Sequence, residues 1–136
     1  MGFSLVDRQG NQIDPSNSRV QMGLLLWNGT TVCDDEFNDN AARAICKEIG
    51  YESAISWGSA SESDTDEWEF FPIRSNYSIG LDEVECRSTD WESCSYEFDH
   101  NCGHSEDVHL ICQPAGINIT FLAQRYGSRI SRICAN

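Results

Sequence analysis

No two cysteines in this 136-residue chain form a CxxC pair. Structural zinc modules are usually built from such close pairs, so the seven cysteines do not describe a zinc finger. No apolar run is long enough to span a bilayer; Gly23 to Trp27 is only a short strand-like piece. The opening Met1-Gly2-Phe3-Ser4-Leu5 has neither the basic nor the apolar stretch of a secretory leader. The expectation is a leader already removed, or a segment of something longer. No nucleophile sits in a recognisable elbow, which argues against an enzyme. The acidic stretch 58–69 lacks the Asp-x-Asp-x-Asp-Gly order of an EF-hand and reads as a solvated loop. Basic residues are also scarce, nine Lys and Arg against 22 Asp and Glu, for a net charge of −13. A surface of that sign repels nucleic acid and anionic membrane unless a cation bridges the two. No internal repeat or low-complexity tract occurs.

What is present points to an oxidising compartment. The cysteines at 33, 46, 86, 94, 102, 112 and 134 are too many for an ordinary intracellular protein of this length, and disulfides are the better reading. Three sequons agree with a secreted, extracellular or cell-surface glycoprotein: Asn28-Gly29-Thr30, Asn76-Tyr77-Ser78 and Asn118-Ile119-Thr120. The charge is split along the chain. All 22 acids lie in residues 1–112 with six basic residues, whereas residues 113–136 hold Arg125, Arg129 and Arg132 and no acid. One reading of the acidic body is a cation site; the other is a charge that only keeps a secreted protein soluble.

Local patterns suggest a small α+β domain. Phe3 to Val6 reads as a strand, Arg8 to Asn17 as a turn-rich loop, and Arg19 to Leu26 as a second apolar segment. Asn28-Gly29 supplies a tight hairpin turn, and Thr30 to Val32 returns to Cys33, Asp34 and Asp35. Asn38 to Gly50 is the convincing helix: Asn38 or Asp39 caps it, Ala41, Ile45 and Ile49 repeat at helical spacing with Cys46 beside them, and Gly50 stops it. Ile79 to Val84 reads as a strand ending at Cys86, Cys86 and Cys94 enclose a short loop suited to a local disulfide, and Val108 to Ile111 reads as the last core strand, closed by Cys112. Beyond Pro114 and Gly116, Ile117, Ile119 and Phe121 alternate as a separate piece.

The blocks Leu5-Val6-Asp7, Arg19-Val20, Thr31-Val32-Cys33-Asp34-Asp35, Ala44-Ile45-Cys46-Lys47-Glu48-Ile49-Gly50-Tyr51, Ser53-Ala54-Ile55, Leu81-Asp82-Glu83-Val84-Glu85-Cys86, His100-Asn101-Cys102-Gly103-His104-Ser105-Glu106-Asp107 and Leu110-Ile111-Cys112 follow one another in a characteristic order. In that order the chain resembles a scavenger receptor cysteine-rich domain over about residues 3 to 112. The resemblance implies a disulfide-stapled curved antiparallel sheet cradling one helix; the domain expected is 1–113, and the basic extension 114–136 reads from its own residues as a strand or assembly segment. Tyr51 stands where the eight-cysteine class has a cysteine, so the six-cysteine pattern applies and implies the pairs Cys33 with Cys102, Cys46 with Cys112 and Cys86 with Cys94; by themselves six cysteines allow fifteen pairings.

The same resemblance implies metal ligands. The family's cation site matches Asp34, Asp35 and Glu106, and a second site matches Asp82 and Asn101, with Ile79 where a third ligand would stand. Calcium is the expected ion, because magnesium demands stricter geometry. The family departures are the displaced Trp27, the long acidic loop from Trp57 to Asn76, and Gln21 in place of an acid. The alternative reading gives Asp34 and Asp35 to the positive end of the following helix and Glu106 to a basic neighbour. His100, His104 and His109 read as structural rather than as zinc ligands.

The function expected is a secreted, non-catalytic recognition module that binds anionic protein or glycan through calcium, with Arg19 and Trp68 on the ligand surface. The other reading is a structural subunit or accessory domain of a larger extracellular assembly or filament, joined through the tail and Cys134, whose thiol would pair with another chain or with a continuation of this one. No nucleic-acid partner and no membrane insertion are expected.

Overall fold

The computed structural model describes residues 2–17, 19–59 and 71–116. Seven strands and one helix follow in the order β1 Phe3–Val6, β2 Met22–Trp27, β3 Thr30–Val32, α1 Asp39–Ile49, β4 Ser53–Gly58, β5 Ile79–Cys86, β6 Cys94–Glu97 and β7 His109–Gln113. They form one sheet in the order β4-β7-β2-β3-β5-β6, with β1 paired to β2. The domain is α+β, as expected, and all but one of its strand pairs are antiparallel. The exception is β3 with β5, which run parallel. Gly80 makes that pair possible, because any side chain there would collide with Thr30.

The hairpin β2–β3 turns on Asn28 at φ 50° and Gly29 at φ 81°, the two positive-φ positions that a two-residue connection matched to strand twist requires. It aims β3 so that Cys33 leaves the sheet beside β5: the Cys33 amide donates to the Leu81 carbonyl at 2.8 Å.

Helix α1 begins where the Asn38 side chain accepts a hydrogen bond from the Ala41 amide at 2.8 Å, and Asp39 adds an acid to the positive end. It stops at Gly50, φ 124°, whose amide reaches back to the carbonyls of Cys46 and Lys47. The helix buries Ala41, Ala42, Ala44, Ile45 and Cys46, a face broad enough to cover Leu5, Leu25, Val32 and Leu110 of the sheet. Cys46 is bonded to Cys112 on β7, which fastens helix to sheet. The other face carries Val6, Leu24 and Leu26 and is covered by Phe71 with Ile73 and Tyr77.

Two strands lie where the sequence suggested none. In β4, Ala54 through Gly58 are buried in succession, and a strand buried on both sides shows no alternation. Gly58 therefore belongs to β4, and Ser59 is also buried, so the solvated loop expected over 58–69 does not begin where the sequence placed it. Strand β6 is short and mostly exposed. Trp57 is core, its Nε1 donating to Asp39 at 2.8 Å. The expected strand at 117–121, Trp68, Asn118 and Cys134 lie outside the described residues.

Candidate functional site

The end of β3 and a turn before β7 come together at the Cys33–Cys102 disulfide, which joins residues 69 apart in sequence. Cys33 also forms an isolated antiparallel bridge with Asp107, and the Val108 amide donates to the Val32 carbonyl at 2.8 Å. Backbone pairing and the covalent link thus fix the two acidic segments against each other.

After Cys33 the chain reverses. The Phe37 amide donates to the Asp34 carbonyl at 3.0 Å, with Glu36 at φ 64°. On the facing side, His104–Glu106 forms a single 3-10 turn. The Gly103 amide donates to Glu106 Oε2 at 3.1 Å, and the His104 ring meets Asp107 Oδ2 at 2.7 Å. Asp107 is 1% exposed. Burial raises its pKa above 3.8, while the His104 and Thr31 side chains pull in the other direction. The pair of partly exposed His104 with buried Asp107 is therefore an anchor that holds the turn presenting Glu106.

One carboxylate oxygen each of Asp35 and Glu106 and the sulfurs of Cys33 and Cys102 lie within 4.8 Å of one another. With both sulfurs in a disulfide, the donors available to a cation are the two half-buried carboxylates. Neither Asp35 nor Glu106 forms an ion pair with a Lys or Arg among the described residues, so the basic neighbour of the alternative reading is not seen for Glu106. At the helix start it is Asn38 and Asp39 that serve the first turn.

Asp34 is directed elsewhere: its Oδ2 accepts a hydrogen bond from the buried Ser59 hydroxyl. Of the three ligands that the resemblance implied, the structure gathers Asp35 and Glu106 and turns Asp34 aside. Asp82 is 2% exposed on β5, and its Oδ1 accepts from the Glu83 amide at 2.7 Å. Its pKa is raised above 3.8 by burial first; the Glu83 hydrogen bond and His100 oppose this, and the charges of Asp35 and Asp34 add to it. Asp82 is thus within electrostatic reach of both acids that follow Cys33, but it does not join the Asp35–Glu106 group. Asn101 and Arg19 are exposed, and the Arg19 amide is held by Asn17 at 3.0 Å.

Sequence reasoning missed the anchoring role of Asp107 and the burial of His109. The signal for the first was the His-x-x-Asp spacing, which sets both side chains on one face of a tight turn.

Comparison with known proteins agrees with the fold. The scavenger receptor cysteine-rich domain family matches residues 11–113. The chain is 36% identical over 86 residues to lysyl oxidase homolog 2B of Danio rerio, covering 60% of this chain and 10% of that protein. It is 34% identical over 120 residues to lysyl oxidase homolog 4 of Homo sapiens, covering 84% of this chain and 14% of that protein. The chain therefore spans about a tenth of the length of such relatives. Among solved structures it is similar to the dimeric form of the scavenger receptor cysteine-rich domain of mouse MARCO, with a TM-score of 0.50 and 25% identity, covering 71% of this chain and 91% of that one.

Proposed function

The chain belongs to the scavenger receptor cysteine-rich family, and we propose that it is a recognition module that takes anionic protein or glycan ligands through a calcium ion held at Asp35 and Glu106. Domains of this family are non-catalytic interaction or accessory modules of extracellular proteins. No helix among the described residues is long and apolar enough to cross a membrane. The observation that carries the finer reading is the meeting of Asp35 and Glu106 beside the Cys33–Cys102 disulfide.

Calcium takes six to eight oxygens. Two carboxylates leave most of that shell to water, to Asp34 if it leaves Ser59, and to the ligand itself. Affinity for the ion alone then falls at about 0.1–1 mM, the range of extracellular modules. A sulfate, phosphate or carboxylate completing the shell would bind a body that otherwise repels it. Asp82 and Asn101 are proposed as ligands of a second, weaker cation site, and Arg19 and Trp68 as ligand surface.

The test is retention of the full chain on an immobilised sulfated polysaccharide. Retention is expected in millimolar calcium and release in chelator; equal retention in both would contradict the reading. A second reading is a structural or accessory domain of a larger extracellular assembly joined through residues 114–136 and Cys134; in the lysyl oxidase homologs the matched region is likewise one part of a longer chain. Electrophoresis with and without reductant separates the two, since covalent assembly gives a ladder only without reductant.

A further inference from the structure

Away from the acidic pocket, a cavity of about 410 Å³ opens at the end of the sheet where β1, the β2–β3 turn and α1 meet. Phe3, Trp27 and Trp91 are among its lining residues, and Gln12, Asn28 and Glu48 give it a largely polar lining. A space of that size holds a small ligand. Aromatic walls joined to a few convergent polar groups suit a sugar: the C–H face of a pyranose lies on the electron-rich face of an indole, and its hydroxyls need hydrogen-bond partners.

Two features suggest where that sugar comes from. Asn28 is the acceptor position of an Asn-Gly-Thr sequon. It is exposed at the tip of the hairpin, its backbone amide donating to the Gly2 carbonyl at 3.0 Å, and it lines the cavity. The aromatic walls also continue outward. Trp91 stacks on Tyr96 with centroids 5.6 Å apart, Tyr96 meets Phe98 edge-on, and Phe98 contacts Trp27 at 5.7 Å. Tyr96 and Phe98 are 39% and 61% exposed, a strip of rings open to solvent in continuity with the cavity.

We propose that Asn28 carries an N-linked glycan whose first N-acetylglucosamine lies in this cavity against Trp27 and Trp91, so that the sugar covers the aromatic end of the domain. In the transfer, the Asn28 amide nitrogen bonds to the anomeric carbon of a polyisoprenyl-diphosphate-linked oligosaccharide. The anomeric C–O bond breaks, the diphosphate leaves with its electrons, and the amide gives up one proton. The sequon at Asn76 provides the internal comparison: it is exposed at the end of the 3-10 turn Pro72–Asn76 and does not line the cavity.

The test uses the full chain secreted from a glycosylating eukaryotic host. Peptide mass mapping reports whether Asn28 is modified. Thermal melting then compares protein trimmed by an endoglycosidase that leaves the first sugar with protein stripped by an amidase, and with Asn28→Gln, which is sugar-free without the carboxylate the amidase creates. The trimmed protein is expected to keep its Tm, and the two sugar-free forms to melt roughly 3–5 °C lower. Trp91→Ala is expected to abolish the sugar-dependent difference and Asn76→Gln to leave it intact. An unmodified Asn28, equal Tm values with and without the first sugar, or a difference that survives in Trp91→Ala would each overturn the proposal. The enzymatic comparison is run on the Asn76→Gln, Asn118→Gln chain, where Asn28 is the remaining sequon, and it stands even if Trp91→Ala folds poorly.

Discussion

Replacing Cys46 and Cys112 together by alanine is expected to remove about 4 kcal/mol of stability, by the loop-entropy relation for a link closing 66 residues. For a domain of this size that is a large part of the net stability, since single domains are stable by only about 5–15 kcal/mol. The link acts on the unfolded chain by forbidding extended conformations, and on the folded one by fastening α1 to β7. Cys46 is fully buried and Cys112 nearly so, so the alanine pair also loses packing. The short link Cys86–Cys94 closes only 8 residues, and the same relation gives it about 2.5 kcal/mol. Urea melts of both double variants check the ranking; a Cys46/Cys112 variant within 1 kcal/mol of the parent would contradict it.

Acidification is expected to weaken the fold through His109. This side chain is fully buried, and its pKa is lowered from 6.5 to about 3, chiefly by burial, with the positive charges of Arg74 and Arg8 adding to the effect and the Asp107 carbonyl opposing it. The hydrogen bonds give the tautomer: the Phe71 amide donates to Nε2 at 3.3 Å, so the ring proton sits on Nδ1, facing the Asp107 carbonyl at 3.3 Å. A second proton on Nε2 would set donor against donor.

Because the folded pKa is depressed, the unfolded chain binds this proton first. His109 contributes stability that is whole above pH 6.5 and is lost as pH falls toward about 3. Between pH 7.5 and 4.5 the loss from this group alone is about 3 kcal/mol. Asp82 and Asp107 have raised pKa values and act oppositely, their protonated forms favouring the folded state as pH falls. The comparison with His109→Gln isolates the histidine: the variant's stability should fall less over the same interval by about 3 kcal/mol. Parallel pH profiles for the two proteins would contradict the assignment.

The elements legible in the sequence are those whose determinants are local. Asn38, the apolar spacing from Ala41 and Gly50 announce α1, and Asn28-Gly29 announces the hairpin, because caps and positive-φ turns depend on neighbouring residues alone. Strand β4 was not legible, since burial on both faces erases the alternation that marks a strand. The parallel pairing of β3 with β5 was not either, because it joins segments with α1 and β4 between them.

The site divides in the same way. Family resemblance pointed to Asp35 and Glu106, and the structure brings them together. It pointed equally to Asp34, whose carboxylate is engaged by Ser59, a residue assigned from its polar surroundings to a loop. The buried Asp107 and His109 were invisible as such, because a polar group is tolerated inside only where tertiary partners meet it.

Calorimetric titration of the full chain with calcium, beside Asp35→Asn and Glu106→Gln, tests the proposed cation site most directly. Both substitutions keep side-chain shape and remove one negative charge. The parent should bind with Kd at about 0.1–1 mM, and each variant at least about tenfold more weakly, as loss of one charged ligand from so sparse a set requires. Equal heats from all three proteins would remove calcium from Asp35 and Glu106, and with it the proposed route to anionic ligands.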